Sequence, residues 1–219
     1  MYPAAADAFL RGQTQVVGCV LYLAAWLEDD ETGARTAVMG KPAKKVICGS
    51  PSTEPLNVAA AEQAAAVLQA AGINGITTDR IRSVVWDKLV GNAQWNPLSA
   101  LTLQPLGYLC RGHMVELALS IGKEVVAVAE AVGGIEPGEV DLEARLEMTR
   151  QLPHGFKTSM LQDIEAGREP ETGPLLTAVI EVAGEAQVEV PVLKALGAMV
   201  RARGDALAGV HGPLPGAGA

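Results

Sequence analysis

The sequence predicts an α+β chain, with the closing strands of an α/β domain over residues 1–78 and an all-α domain over residues 79–208. Short β-branched stretches surround a single Ala-rich helix up to Thr78, whereas from Asp79 onward every periodic segment has helical spacing. No GxGxxG occurs anywhere, so the first part lacks the glycine-rich turn that opens a dinucleotide-binding domain.

Gln15–Leu23 is apolar and β-branched and reads as a buried strand. Thr36–Gly40 and Lys44–Cys48 read as two short strands flanking a turn at Pro42. Glu54–Ala71 has helical spacing and stops at Gly72, and Gly75–Thr78 reads as one more strand. No βαβ repeat is complete in this reading, so the segment is taken as the end of a sheet whose earlier strands lie outside the sequence. Asp79 is expected to cap a helix from Arg80 to about Asn96. Further helices are expected over 112–132, ended by Gly133-Gly134, and over 140–152, stopped by Pro153. Ser159-Met160-Leu161-Gln162 has capping-box form and opens a short helix ending at Gly167. Two last helices run from Pro174 to Ala186 and from Pro191 to Arg203, and residues 209–219 form a Gly/Pro-rich tail read as disordered.

Apolar residues at 49% and charged residues at 19% place the 219-residue chain among globular proteins. A net charge of −8 argues against a nucleic-acid partner. The start lacks the basic segment of a signal peptide, and Val16–Leu27 is too short to span a bilayer. Cys19, Cys48 and Cys110 are remote in sequence and match no metal-ligand spacing, which reads as reduced thiols. A soluble cytoplasmic protein without metal or membrane association is expected.

Arg82–Thr102 is the most informative stretch. Lys88, Asn92 and Asn96 are four apart and form one row on a helix. At about 100° per residue, the row falls among Ile81, Val84, Val85, Leu89 and Trp95, with Arg82, Ser83, Asp87 and Gln94 on the other side. An ammonium and two amides therefore project from the face expected to be buried, which costs several kcal/mol unless the face lines a wet cleft or a ligand site. The plain alternative is a snorkelling lysine and two amides bridging neighbouring helices.

The text Trp86, Lys88, Asn92, Asn96-Pro97-Leu98-Ser99-Ala100-Leu101 resembles the segment that opens the C-terminal domain of ketopantoate reductases (2-dehydropantoate 2-reductases). Lys157–Glu171 resembles that family's SMLQD segment and the Glu twelve residues after its Ser, and Val190–Val200 its last helix. The matches cover about Val16 to Arg203. The resemblance implies a remnant of a Rossmann-type domain followed by a helical domain like the C-terminal domain of 6-phosphogluconate dehydrogenase. It implies NADPH as cofactor, a small 2-oxo acid as substrate, and a homodimer as the candidate assembly.

By that resemblance Lys88 binds the 2-oxo oxygen and supplies a proton as hydride arrives, a role suited to an ammonium beside a developing alkoxide. Asn92 and Asn96 match substrate-orienting amides, Ser159 the hydroxyl that binds the substrate carboxylate, and Glu171 the acid that touches substrate and the nicotinamide end. Ser159 as a helix cap and Glu171 as a first-turn acid are the plain alternatives. His113, His154 and His211 are scattered and read as structural or surface residues, and the charges of 165–171 as a solvated face.

Four residues depart from the family pattern: Leu106 and Phe156 stand where Asn is common, and Thr172-Gly173 follow Glu171 where Ile-Asp is common. These changes fit a branch acting on a related 2-oxo acid. With the phosphate loop missing, the chain alone is expected to be inactive or nearly so. A non-catalytic helical module for dimerisation or ligand binding is the alternative. A β-hydroxyacid dehydrogenase, which shares the Lys-x-x-x-Asn pair, is disfavoured by the SMLQD block.

Overall fold

The computed structural model describes residues 15–22, 25–29, 31–39, 45–170 and 173–209. Two compact units, Met1–Val85 and Trp86–Ala219, divide the chain, and the division falls inside one helix.

The first unit contains β1 (Gly18–Tyr22), β2 (Ala25–Asp29), β3 (Arg35–Met39), β4 (Lys45–Gly49), helix α1 (Pro55–Ala70) and β5 (Asn74–Thr78). Its main sheet has the order β1-β4-β5, with β1 antiparallel and β5 parallel to β4. The sequence suggested no complete βαβ unit, yet β4–α1–β5 is one. Parallel strands need a crossover of this kind; Gly75–Thr78 was legible as a strand, but its parallel pairing with β4 across α1 was not.

Helix α1 begins with Pro55 at a first-turn position, and the chain leaves it through Gly72 at φ +74°. One sheet face packs Val46 and Cys48 against Ala65 of α1, and the other packs Val20 and Ile47 against Ile81. The strand expected to be buried, β1, alternates instead: Gly18 and Val20 are buried while Cys19 and Leu21 are exposed. The second expected pair of strands is present, but β3 pairs with β2, a strand the sequence reading missed next to the acidic run Glu28–Glu31. The turn at Pro42 lies outside the described residues.

The second unit is helical. Helix α2 (Ile81–Thr102) carries residues of both units. It is followed by α3 (Leu106–Leu109), α4 (Val115–Ala131), α5 (Leu142–Arg150), α6 (Ser159–Glu165), a π-helical turn (Gly173–Thr177), α7 (Ala178–Glu185) and α8 (Pro191–Leu207). Helix α2 does not end at Asn96. It runs through Pro97, because Gln94–Ala100 are all buried and packing offsets the hydrogen bond that proline removes. It stops where Leu103 adopts φ +56°. The helix expected over 112–132 is α4, which starts three residues later, and the short α3 precedes it.

Apolar spacing on α4 buries Ala118, Ile121, Val125, Val128 and Ala129 against Val179 and Ala183 of α7 and Leu193, Leu196 and Val200 of α8. Each fully buried aliphatic of the larger kind contributes about 1.5–3 kcal/mol. Among the described residues, no helix is long and apolar enough to cross a membrane. The tail from residue 210 lies outside the described residues.

Candidate functional site

Helix α2 positions three of the five candidate residues. In its first half the apolar side is Trp86, Val90 and Ala93, all buried. Lys88 stands about 200° round the helix from Trp86, and Asn92 and Asn96 follow it turn by turn. The row is therefore not the fully buried face that the sequence suggested. Lys88 and Asn92 are half-buried and Asn96 is buried, so the row descends from a partly solvated amine to an enclosed amide. Burial lowers the Lys88 pKa below its ordinary 10.5, because desolvation penalises the ammonium.

The opposite, supposedly polar side of α2 is used for docking. Gln94 is buried and donates from Nε2 to the Ala118 carbonyl at 3.0 Å. Gly122, one turn further along α4, admits it: a Cβ there would lie 2.4 Å from that nitrogen. Asp87 accepts an ion-pair hydrogen bond from Arg145 of α5, beside Gly91. These residues fasten α2 to α4 and α5, and thereby fix the helix that carries Lys88. Sequence reasoning placed Asp87 and Gln94 outside. The available signals were Gly122 across from Gln94 and Gly91 beneath Arg145, which spacing alone does not connect.

Ser159 is the first residue of α6 and is exposed. It does not cap the helix. Thr158, buried at 4%, accepts the Leu161 N–H at 3.2 Å through its hydroxyl. The capping explanation therefore belongs to Thr158, and the Ser159 hydroxyl is left to solvent or a ligand. Nearby charges pair on the surface, Lys157 with Glu165 and Arg168 with Asp163. Lys88, Asn92, Asn96 and Ser159 all belong to the second unit. Glu171 lies outside the described residues.

Two of the departures from the family pattern meet. The Leu106 N–H donates to the Phe156 carbonyl at 2.9 Å, and both side chains join the helical core. Where two amides were expected by resemblance, this chain has two apolar side chains that belong to the helical core.

The first unit holds a cavity of about 440 Å³, lined by Ser50, Ser52, Thr53, Glu62, Thr77 and Asp79 among others. None of the candidate residues lines it, and it contains two carboxylates and no cation. Gly49, the last residue of β4, leaves no room for a side chain, since a Cβ there would lie 2.6 Å from both the Ile81 Cβ and the Thr78 carbonyl oxygen. Among the described residues there is no group of three or more side chains able to hold a metal ion.

Comparison with known proteins bears on the whole arrangement. The family described as ketopantoate reductase PanE/ApbA C terminal matches residues 80–204. A 2-dehydropantoate 2-reductase of Mesorhizobium japonicum is 35% identical over 87% of this chain and 56% of its own length. One from Archaeoglobus fulgidus is 28% identical over 64% of this chain and 47% of its own. The crystal structure of 2-dehydropantoate 2-reductase from Methylococcus capsulatus, 26% identical, superposes with a TM-score of 0.75 over 92% of this chain and 62% of that one. The chain thus spans about half the length of the curated relatives it matches. The matched segment contains the lysine–asparagine row, Ser159 and the helices that hold them, and by it the chain belongs to the ketopantoate reductase family.

Proposed function

We propose that this chain supplies the substrate side of an NADPH-dependent reductase acting on 2-dehydropantoate or a related 2-oxo acid. The observation that carries the reading is Lys88, an amine held half-buried on α2 with a lowered pKa, in one row with Asn92 and Asn96. NADPH supplies the hydride in such a reaction. The Lys88 ammonium donates to the 2-oxo oxygen, stabilises the charge that develops there, and passes it a proton. Asn92 and Asn96 orient the substrate by their amides, and the exposed Ser159 hydroxyl binds its carboxylate. Glu171 is assigned to the substrate and the nicotinamide end by family resemblance alone.

Leu106 and Phe156 support a related 2-oxo acid as substrate, because neither side chain offers the amide that the family has at these positions. The lack of a GxGxxG segment in this sequence supports the expectation that this chain alone binds NADPH weakly or not at all and turns over nothing.

Calorimetric titration of 2-dehydropantoate and a panel of small 2-oxo acids into the chain tests the reading. Saturable binding of at least one of them is expected, weakened roughly 10-fold or more in Lys88→Ala by loss of a charge-assisted hydrogen bond. No binding by any of them, or the same isotherm for both proteins, overturns it. NADPH binding in the micromolar range or tighter would contradict the expectation of a missing phosphate site. With a nucleotide-binding half supplied in trans, Lys88→Ala is expected to lower kcat/KM by about 10²-fold or more.

A further inference from the structure

The cysteines that are remote in sequence are not all remote in the fold. Strand β1 pairs with β4 in a register that sets Cys19 directly opposite Cys48, between the pairs Gly18–Gly49 and Val20–Ile47. Their sulfurs are 3.7 Å apart. Directly opposed residues of antiparallel strands have Cα atoms about 4.5–5.5 Å apart, inside the range of about 4.4–6.8 Å that a disulfide spans. Both thiols are free, and closing the bond requires the two sulfurs to approach along an existing contact rather than a rearrangement of strands.

We propose that Cys19 and Cys48 form an oxidative modification site, in which a peroxide converts the two thiols to a cross-strand disulfide that staples β1 to β4. The two positions divide the chemistry. Cys19 is exposed and meets the oxidant, whereas Cys48 is fully buried and does not. In the first step the Cys19 sulfur displaces water from hydrogen peroxide and becomes a sulfenic acid. In the second the Cys48 sulfur attacks it, the S–O bond breaks, and hydroxide leaves with the Cys48 proton as water. Two thiols and one peroxide give one disulfide and two waters.

Burial and the neighbouring Cys19 push the Cys48 thiol up to about 11, which keeps it protonated at neutral pH and makes proximity the source of its reactivity. The bond closes a loop across 29 residues that contains the β2–β3 hairpin. It therefore holds together the only ladder that ties β1 to its sheet among the described residues. Cys110 is buried in the other unit and takes no part.

The test treats the 219-residue chain with hydrogen peroxide without reductant, alkylates the remaining thiols, and maps the peptides before and after reduction. Of the three thiols, one is expected to stay alkylatable, on Cys110, with a Cys19–Cys48 cross-linked peptide and a mass about 2 Da lower that dithiothreitol reverses. The oxidised chain should melt several degrees higher, as loop closure restrains the unfolded state. In Cys48→Ser, Cys19 should persist as a sulfenic acid that dimedone traps. Over-oxidised Cys19 beside an alkylatable Cys48 in the unsubstituted chain overturns the proposal, as do links to Cys110 or between chains. The mapping of the unsubstituted chain decides the matter even if the variant fails to fold.

Discussion

The carboxylate of Glu124, midway along α4, receives the backbone N–H of Leu193 at 2.8 Å on one oxygen and that of Val192 at 2.9 Å on the other. Helix α8 has no side-chain cap of its own, since Val190 precedes Pro191 at its start. Glu124 therefore acts as a cap supplied from another helix, satisfying two of the three orphan donors left at an N-terminus whose first residue, Pro191, has no N–H. Removing it leaves those donors in a partly buried interface. Glu124→Ala is expected to cost about 2–4 kcal/mol, from two hydrogen bonds to a charged acceptor, and Glu124→Gln clearly less. Urea unfolding checks both. An alanine variant as stable as the parent would mean that water replaces the carboxylate.

Gly107 makes a second close approach that tolerates no side chain. A Cβ there would lie 2.2 Å from the His154 carbonyl oxygen and 2.3 Å from its Cα, both backbone atoms that cannot swing aside. Gly107→Ala is expected to destabilise by about 3 kcal/mol or more, the upper end of overpacking costs. Gly155→Ala, with open space around its Cβ, is expected within about 0.5 kcal/mol of the parent. Thermal melts of the two variants separate packing from a general intolerance of that loop. Equal melting temperatures would contradict the packing at residue 107.

Thr158 and Ser159 are adjacent hydroxyls with different duties. Thr158→Ala removes the acceptor of the Leu161 N–H and is expected to cost about 1 kcal/mol of stability. Ser159→Ala removes an exposed hydroxyl with no capping duty and is expected to leave stability within about 0.5 kcal/mol. On the proposed function it weakens binding of the 2-oxo acid roughly 10-fold, the size of one hydrogen bond to a charged group. Paired melts and titrations check this. A destabilised Ser159→Ala with unchanged affinity would return Ser159 to a purely structural role.

Much of the helical unit was legible because local spacing carries it. The apolar period of α4, Ala118, Ile121, Val125 and Val128, marks its buried side without knowledge of any partner. The lysine–asparagine row was likewise visible as three positions four apart. What spacing could not convey was what lies across from each face. Gln94 looked solvent-facing because a single helix has no way to declare that it is surrounded, and its place was set by Gly122 on another helix. The cap on α6 was displaced by one residue because Thr158 and Ser159 are chemically equivalent candidates, and burial chose between them. Cys19 and Cys48 looked unrelated because strand register, not sequence distance, makes them neighbours.

Lys88 links stability to the proposed chemistry through pH. Its folded-state pKa is lowered by burial, while in the unfolded chain the amine returns to about 10.5. Between those two values the unfolded chain holds a proton that the folded chain has released, so stability rises with pH there. Below both values the folded state carries the desolvation cost in full. Lys88→Met removes this linkage and leaves the other titrating groups in place. The melting temperature of the parent relative to Lys88→Met is therefore expected to climb as pH rises through the lowered folded-state value toward 10.5, with a modest amplitude because the side chain is only half-buried. Affinity for the 2-oxo acid should fall across the same window, as the ammonium that donates to the 2-oxo oxygen is lost. A difference in melting temperature that is flat with pH would show a fully solvated amine. The row on α2 would then lose the property that fits it to deliver a proton.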